Sequence, residues 1–526
     1  MSDELPSGWA LLTPPDIAAH EPHSLGIGPF GSDLKVADYR GSGVPLIFVR
    51  NVRSQVFDGP ETRFISAEKA EELRAHWAMP GDVLVTKMGD PPGDACVYPH
   101  SRPVGVITAD CIRWRVDPLI ADSRFLSYAV GSPRVRSQVL AITKGVAQLK
   151  VSLGRFSGVR FPFPPVGEQR RVADALDSLF SRLDDAVASL ERVQRNLKRY
   201  RAAVLQAAVE GRLVPTEAEL ARAKGRSFEP ASELLTRILA ERRRRWEESE
   251  LAKLRAKGKD PKNDAWKKKY VEPSVPDTTE LPELPAGWCW ASVDQLGEVS
   301  GGLTKNASRD TGELKRPYLR VANVYADRLA LDDVSHIGLQ ESELERVLLA
   351  RGDLLVVEGN GSIDQIGRVA LWDGSIDGCV HQNHIIKVRF HPTVLSRWGL
   401  RWLLASSGRR VIEKAASSTS GLHTLSISKI QSLPVPLPPL AEQGRVEAEW
   451  ARLMSVEEQN LTTIRLTLSR CRRLRQSILK WAFEGKLVDQ NRSDEPASVL
   501  LERIRAERDS SAAPVRRTRR HPRTKK

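Results

Sequence analysis

Between Val172 and Val204 the apolar residues fall in alternating steps of four and three: Val172, Leu176, Leu179, Leu183, Ala186, Leu190, Val193, Leu197, Tyr200, Val204. Such a seam predicts a long helix that needs a partner helix along its length. The Pro-rich lead-in Phe161-Pro162-Phe163-Pro164-Pro165 and Gly211 set its limits. At 1.5 Å per residue the helix spans roughly 60 Å. A second seam reads Val446, Trp450, Leu453, Glu457, Asn460, Ile464, Thr467, Cys471, Leu474, Ile478, with polar residues in the middle. Polar groups at such positions fix register and partner at some cost in stability. Each helix could instead pack on its own globular segment. The seams are too long for that, so the two helices are expected to pair with each other, antiparallel, through Leu176, Leu179, Leu183, Leu190 and Leu197 on one side and Trp450, Leu453, Ile464, Leu474 and Ile478 on the other.

Elsewhere the pattern changes. Short apolar runs such as Val44-Pro45-Leu46-Ile47-Phe48-Val49, Asp82-Val83-Leu84-Val85 and Leu354-Leu355-Val356-Val357 are bounded by Gly, Asp, Asn and Pro, as strands between turns should be. Short helices are predicted over Ser66–His76, Ala121–Val130 and Leu395–Ala405. The fold class is therefore α+β: two mixed α/β segments separated by two long helices that pair as an antiparallel coiled coil.

The chain is also a duplication. Pro164-Pro165-Val166-Gly167-Glu168-Gln169 is echoed by Pro438-Pro439-Leu440-Ala441-Glu442-Gln443, and Glu210-Gly211-Arg212-Leu213-Val214 by Glu484-Gly485-Lys486-Leu487-Val488, both at an offset of 274. Pro6-Ser7-Gly8-Trp9 pairs with Pro285-Ala286-Gly287-Trp288, and Glu229-Pro230-Ala231-Ser232 with Glu495-Pro496-Ala497-Ser498. A shared offset at both ends of a helix means that one unit has been copied.

Composition adds compartment and charge. With 526 residues, two to four domains fit. A net charge of +14 favours a polyanionic partner, although each dense run, such as Arg242-Arg243-Arg244-Arg245 or the tail Arg516-Arg517-Thr518-Arg519-Arg520, reads by itself as a solvated face or tail. Five cysteines, none in a CxxC pair, argue against a disulfide framework and a cysteine zinc cage. With no signal-like start and no run of apolar residues long enough for a membrane span, a reducing cytoplasm is the expected setting.

The Pro-Pro-x-x-Glu-Gln start of each long helix, the Glu-Gly-[Arg/Lys]-Leu-Val exit, the Gly-Trp opening of each variable segment and the two-copy layout together resemble the specificity subunit of type I restriction-modification systems. The resemblance covers essentially the whole chain. It implies a target-recognition domain at 1–162, a central helical spacer at 163–284, a second target-recognition domain at 285–435, a distal helical spacer at 436–510 and a basic disordered tail at 511–526. It further implies that each recognition domain reads one half of a bipartite double-stranded DNA target while the coiled coil sets the gap. The chain itself would be non-catalytic and bind no cofactor. Its partners would be two methyltransferase subunits, which carry S-adenosylmethionine, and in the full complex two translocating endonuclease subunits. A rod that joins two readers would raise the local concentration of the second once the first is bound. A structural coiled-coil scaffold that binds proteins through its globular ends is the alternative, and a two-part DNA footprint separates the two.

DNA contact needs cations for phosphates and amides or guanidiniums for base edges, displayed on loops. The first segment offers Arg50, Asn51, Arg53, Lys87, Lys144, Gln148 and Lys150. In the second segment the candidates are Lys305, Asn306, Arg320 and Asn323, then Asn360, Ser362 and Gln365, then Gln382, Asn383, Ser420 and His423. For any one of these, plain solvent exposure is as good an account.

Three further motifs read as structure rather than chemistry. Gly26-Ile27-Gly28-Pro29-Phe30-Gly31 matches GxGxxG, but no hydrophobic strand is expected before it, so it reads as a loop. Asp90-Pro91-Pro92-Gly93 lacks the aromatic residue of an amino-methyltransferase motif and reads as a turn. Strand alternation puts Cys379 and His381 on one face and His384 on the other, with no fourth ligand, so these residues read as structural rather than as a metal site.

Overall fold

The computed structural model describes residues 5–60, 63–145, 148–259, 261, 263–310, 314–360, 362–419 and 422–511. The basic tail from 512 onward and Ser420 lie outside the described residues. The chain divides into two compact units, Met1–Glu191 with Arg465–Lys526, and Arg192–Ile464. No helix among the described residues is long and apolar enough to cross a membrane.

In the first unit, strand Ala10–Leu12 pairs antiparallel with Phe161–Phe163, closing the globular segment where the first long helix begins. Its main sheet runs Leu25–Ile27, Cys111–Trp114, Val83–Thr86, Ala95–Val97, all antiparallel. A second sheet orders Phe64–Ile65, Val44–Ile47, Gly105–Ile107 and Trp77–Ala78. A hairpin joins Val52–Arg53 to Val56–Phe57. The other unit repeats this order. Cys289–Ser292 pairs with Pro434–Leu437. The sheet runs Gly297–Gly301, Ile385–Phe390, Leu354–Val357, Val369–Leu371, and the hairpin joins Val324–Tyr325 to Arg328–Leu329. The expected short helices form at Ala67–Glu72, continued as a 3-10 turn at Arg74–His76, at Ser123–Gly131 and at Ser396–Leu404.

The apolar runs are strands because both of their faces are covered. Successive side chains on a strand point to opposite faces. Accordingly Val83 and Val85 lie in one core while Leu84 lies in another. Leu354 and Val356 are divided from Leu355 and Val357 in the same way. Asp122 starts the helix Ser123–Gly131 by accepting from the backbone N–H groups of Arg124 and Phe125, at 2.8 and 3.2 Å.

The two long helices, Val166–Val209 and Leu440–Ala482, each contribute to both units and pack together. In the first unit Arg475 ion-pairs with Asp184 and lies 4.3 Å from the Phe180 ring centroid. In the second, Arg201 stands 3.9 Å from Glu457. One index rises from 184 to 201 while the other falls from 475 to 457, which is antiparallel pairing.

The seam needs one correction. Leu176 is fully buried, and Leu183, Leu190 and Leu197 are half-buried, as the pattern requires. The alternate positions fall one residue later than expected. Phe180, Val187 and Gln194 are the better covered residues, while Ala186, Val193 and Tyr200 face solvent and Leu179 packs toward the first unit's core. The second helix shifts in the same sense at two of its alternate positions, Asn460 and Leu474, while Leu453 and Thr467 stay half-buried. Trp450, Ile464 and Ile478 are buried and Leu453 half-buried, but Leu474 is 51% exposed and Arg475 is drawn in, while Leu461 replaces Asn460. An apolar stripe three residues wide in seven fits two overlapping frames, and only the partner helix selects one. Of the expected polar seam residues, only Glu457 is buried, at 4% exposure.

Candidate nucleic-acid interface

The repeated motifs form joints beneath the variable loops. Trp9 Nε1 donates to Glu168 Oε1 at 3.1 Å, and Trp288 Nε1 to Glu442 Oε1 at 2.9 Å. Burial raises the pKa of both carboxyls, against the hydrogen bonds they accept. Gln169 is sealed in by its neighbours: its amide donates to Ile120 and Pro164 carbonyls and accepts from Asp122 N–H. Gln443 does the same with Pro438 and Leu395. Each helix ends on a glycine at φ +68°, Gly211 or Gly485, where a Cβ would come within 2.6 Å of Pro285 or Pro6. A side chain there would be strained and would also collide. The backbone then returns to the Gly-Trp turn, with Ala231 N–H donating to Gly287 and Ala497 N–H to Gly8, at 2.8 and 3.0 Å.

Above these joints stand the loops with the candidate contacts. In the first unit Lys144 and Lys150 pair backbone to backbone, Val151 N–H donates to Lys87 O, and Gln148 is exposed beside them. Lys87, Lys144, Gln148 and Lys150 are thus brought together. Lys87 is half-buried, donates to Ala109 O at 3.0 Å and sits 4.5 Å from the Phe30 ring centroid. Burial lowers its pKa, and Lys150 adds repulsion. Arg50 is exposed, its guanidinium 4.6 Å from the Phe48 ring centroid, and Arg53 is exposed on the hairpin.

In the second unit Arg320 pairs with Asp333 at 2.7 Å, and Gln382 Oε1 accepts from Val321 N–H at 3.3 Å. Asn383 is half-buried against Leu303 O. Lys305 and Asn306 are exposed, and Asn306 Oδ1 accepts from Arg309 N–H. Asn360 lies in a two-residue strand whose partner residue is His423. Ser362 and Gln365 are exposed at the short turn Ile363–Gln365.

No family model matches the chain. Among curated proteins, the specificity subunit of the type I restriction enzyme EcoKI, from Escherichia coli (strain K12), is 27% identical over 487 residues, covering 89% of each chain. The StySPI specificity subunit from Salmonella potsdam is 24% identical over 486 residues, covering 88% of this chain and 89% of that one. These relatives are type I restriction specificity subunits. Among solved structures, the HsdS subunit from Thermoanaerobacter tengcongensis has the same fold at a TM-score of 0.52 and 14% identity, covering 92% of this chain and 99% of that one. A chain from a structural study of complex assembly and conformational transition of the type I R-M system matches over the same shares at a TM-score of 0.57, also at 14% identity.

Burial and hydrogen bonding correct the candidate set at two residues. Asn51 and Asn323 are each 3% exposed and use their amides on their own loops. Asn51 Oδ1 accepts from Phe48 N–H at 3.0 Å and its Nδ2 donates to Asp58 O at 3.1 Å. Asn323 accepts from Arg320 N–H and donates to Ala330 and Asp333 carbonyls, at 2.8, 2.8 and 2.9 Å. Both are buried loop staples whose amides bond their own loop's backbone. The GxGxxG segment also differs from expectation, since Leu25–Ile27 is a strand paired with Ile112–Trp114 and runs into the motif. Gly28 is there because a Cβ would meet the Thr108 backbone at 2.2 Å.

Among the described residues, no group of three or more His, Cys, Asp and Glu could hold a metal. His381 is fully buried with Nδ1 2.8 Å from Ile385 O, whereas His384 is exposed beside Glu358. Burial pushes the His381 pKa down to about 4. Sequence reasoning missed one group altogether: the exposed ring of Tyr325, with the Arg328 guanidinium 4.7 Å and the Arg368 guanidinium 5.1 Å from its centroid. The usable signal was an aromatic residue in a hairpin with Arg three positions on.

Proposed function

We propose that this chain is the specificity subunit of a type I restriction-modification complex: a non-catalytic DNA-binding protein that reads a bipartite target and positions its partner enzymes. The observation that carries this reading is one architecture built twice, with divergent loops on matching scaffolds, in a chain whose full-length curated relatives are specificity subunits. The segments 1–162 and 285–435 act as two target-recognition domains, one per half-site. The paired helices between them keep the gap constant, as dimer geometry sets half-site spacing in smaller DNA-binding proteins.

The loop cations Lys87, Lys144 and Lys150 serve the phosphates, and Gln148 and Gln365 have amides exposed for base edges. The partners are double-stranded DNA, two methyltransferase subunits that bind S-adenosylmethionine and, where the complex restricts, two endonuclease subunits. The complex works in the cytoplasm. Mapping methylated adenines in cells with and without this chain tests the reading. A bipartite motif should lose its methylation when the chain is absent, and an unchanged methylation pattern defeats the proposal.

A further inference from the structure

The hairpin Val324–Leu329 presents a ring with two cations close to it. Tyr325 pairs across the hairpin with Arg328, and Arg368 arrives from the neighbouring sheet, next to the strand Val369–Leu371. The hairpin is pinned from below. Asp327, at φ +54°, donates its N–H to Val369 O at 2.9 Å and places its carboxylate 3.6 Å from both Arg201 and Arg401. Arg368 is fixed as well, donating to Val321 O at 3.3 Å, in the same loop that carries Arg320 and is held by Gln382. Among the described residues no carboxylate lies within ion-pairing distance of Arg328 or Arg368. Among the described residues, two guanidiniums converge on one exposed ring and neither is ion-paired with a carboxylate. Like charges brought together in this way favour an anion between or above them.

We propose that this hairpin is a DNA-contacting element of the second recognition domain, with Tyr325, Arg328 and Arg368 acting as one unit on the half-site that domain reads. The proposal rests on the DNA-reading function given above. The ring held against two guanidiniums is pre-oriented, so little side-chain freedom is lost on binding. The guanidinium N–H edges are suited to phosphate oxygens or to the paired acceptors of guanine.

The other copy shows that the position is free to vary. Register and the shared N–H bond, Gln55 to Ala95 O at 2.7 Å, align Arg53 with Tyr325, Val56 with Arg328 and Asp94 with Arg368. There Asp94 lies 3.9 Å from Arg136. One scaffold thus displays an arginine, a valine and a carboxylate in the first copy, and a tyrosine and two arginines in the second.

The test uses the full chain assembled with its methyltransferase subunits and duplexes carrying the mapped target, either intact or with one half-site scrambled. Tyr325→Ala, Arg328→Ala and Arg368→Ala should each weaken binding to the intact target by about tenfold. They should abolish the preference at one half-site only and leave the other half-site's preference as in the wild type. Tyr325→Phe, which keeps the ring, should retain most of the affinity. Should Tyr325→Ala or Arg368→Ala lower the melting midpoint, Arg328→Ala at the exposed edge carries the test alone. Binding and half-site preference within twofold of wild type overturn the proposal. A wild-type complex with no bipartite preference would instead defeat the DNA-reading function itself.

Discussion

The joints and the hairpins of the two copies have diverged to opposite degrees. At the joints, Trp9 with Glu168 and Trp288 with Glu442 make the same buried hydrogen bond, and Gly485 and Gly211 have the same φ against the same kind of neighbour, a proline ring. At the hairpins the backbone is again the same, but Arg53, Val56 and Asp94 answer to Tyr325, Arg328 and Arg368. Buried donors and acceptors tolerate almost no substitution because each unsatisfied one costs about 1–3 kcal/mol. Exposed side chains carry no such penalty. The chemistry that differs between the copies is therefore where selectivity can reside, and the chemistry that agrees holds it in place.

The largest effect should come from breaking a joint. Glu442 accepts from Trp288 Nε1 and also from Glu217 N–H, at 2.9 and 2.8 Å. Glu442→Ala strands two buried donors and should cost about 3 kcal/mol in denaturant unfolding. Glu168→Ala removes the acceptor of the Trp9 indole and of the Gln490 side chain but strands no buried backbone N–H, and should cost less, about 2 kcal/mol. A loss larger than that of Glu442→Ala would mean that the Glu217 N–H contact adds nothing.

A pH effect should separate the copies next. His381 has no histidine counterpart in the first unit, where Ile107 holds the matching strand position. Its pKa is about 4 when folded and near the ordinary 6.5 when unfolded. Between those values the unfolded state binds more protons, so stability is complete above pH 6.5 and is lost as pH falls. The loss should reach about 2 kcal/mol at pH 5. His381→Gln should flatten that part of the curve relative to wild type. An unchanged difference between pH 7.5 and pH 5 would show that the ring is already free to take up a proton in the folded chain.

These comparisons also show what the sequence can and cannot carry. The strand runs around Leu84 and Leu355 were legible because side-chain alternation is imposed by the backbone. The long helices were legible because a heptad pattern has little other use. The amides of Asn51 and Asn323 were not, since their partners are backbone groups seven and ten residues away that any sequence would supply. Nor was the Tyr325 group, because Arg368 reaches it only once the hairpin has settled against the sheet. Local patterns thus disclosed the scaffold, while the surface chemistry depended on contacts between segments distant in sequence.

A smaller effect tests the one polar seam position that stayed buried. Glu457 matches Leu183 of the first helix at the offset of 274. Its partner Arg201 is 3.9 Å away and half exposed, so the attraction is weak and the carboxylate remains largely desolvated. Glu457→Leu should therefore leave stability unchanged or raise it by about 1 kcal/mol. A loss larger than that would make the ion pair a real element of the helix pairing.

The smallest expected difference decides the seam frame. If Val187, and not Ala186 or Val193, faces the partner helix, Val187→Ala removes half-buried methyl groups and should cost about 1 kcal/mol. Val193→Ala, at 47% exposure, should fall within about 0.5 kcal/mol of wild type, since surface truncations leave no cavity and alanine is the better helix former. The same contrast should appear in the second helix between Leu468→Ala and Leu474→Ala. A reversed order in both helices would restore the frame read from the heptads alone. A reversed order in only one would mean that the two helices do not share a register.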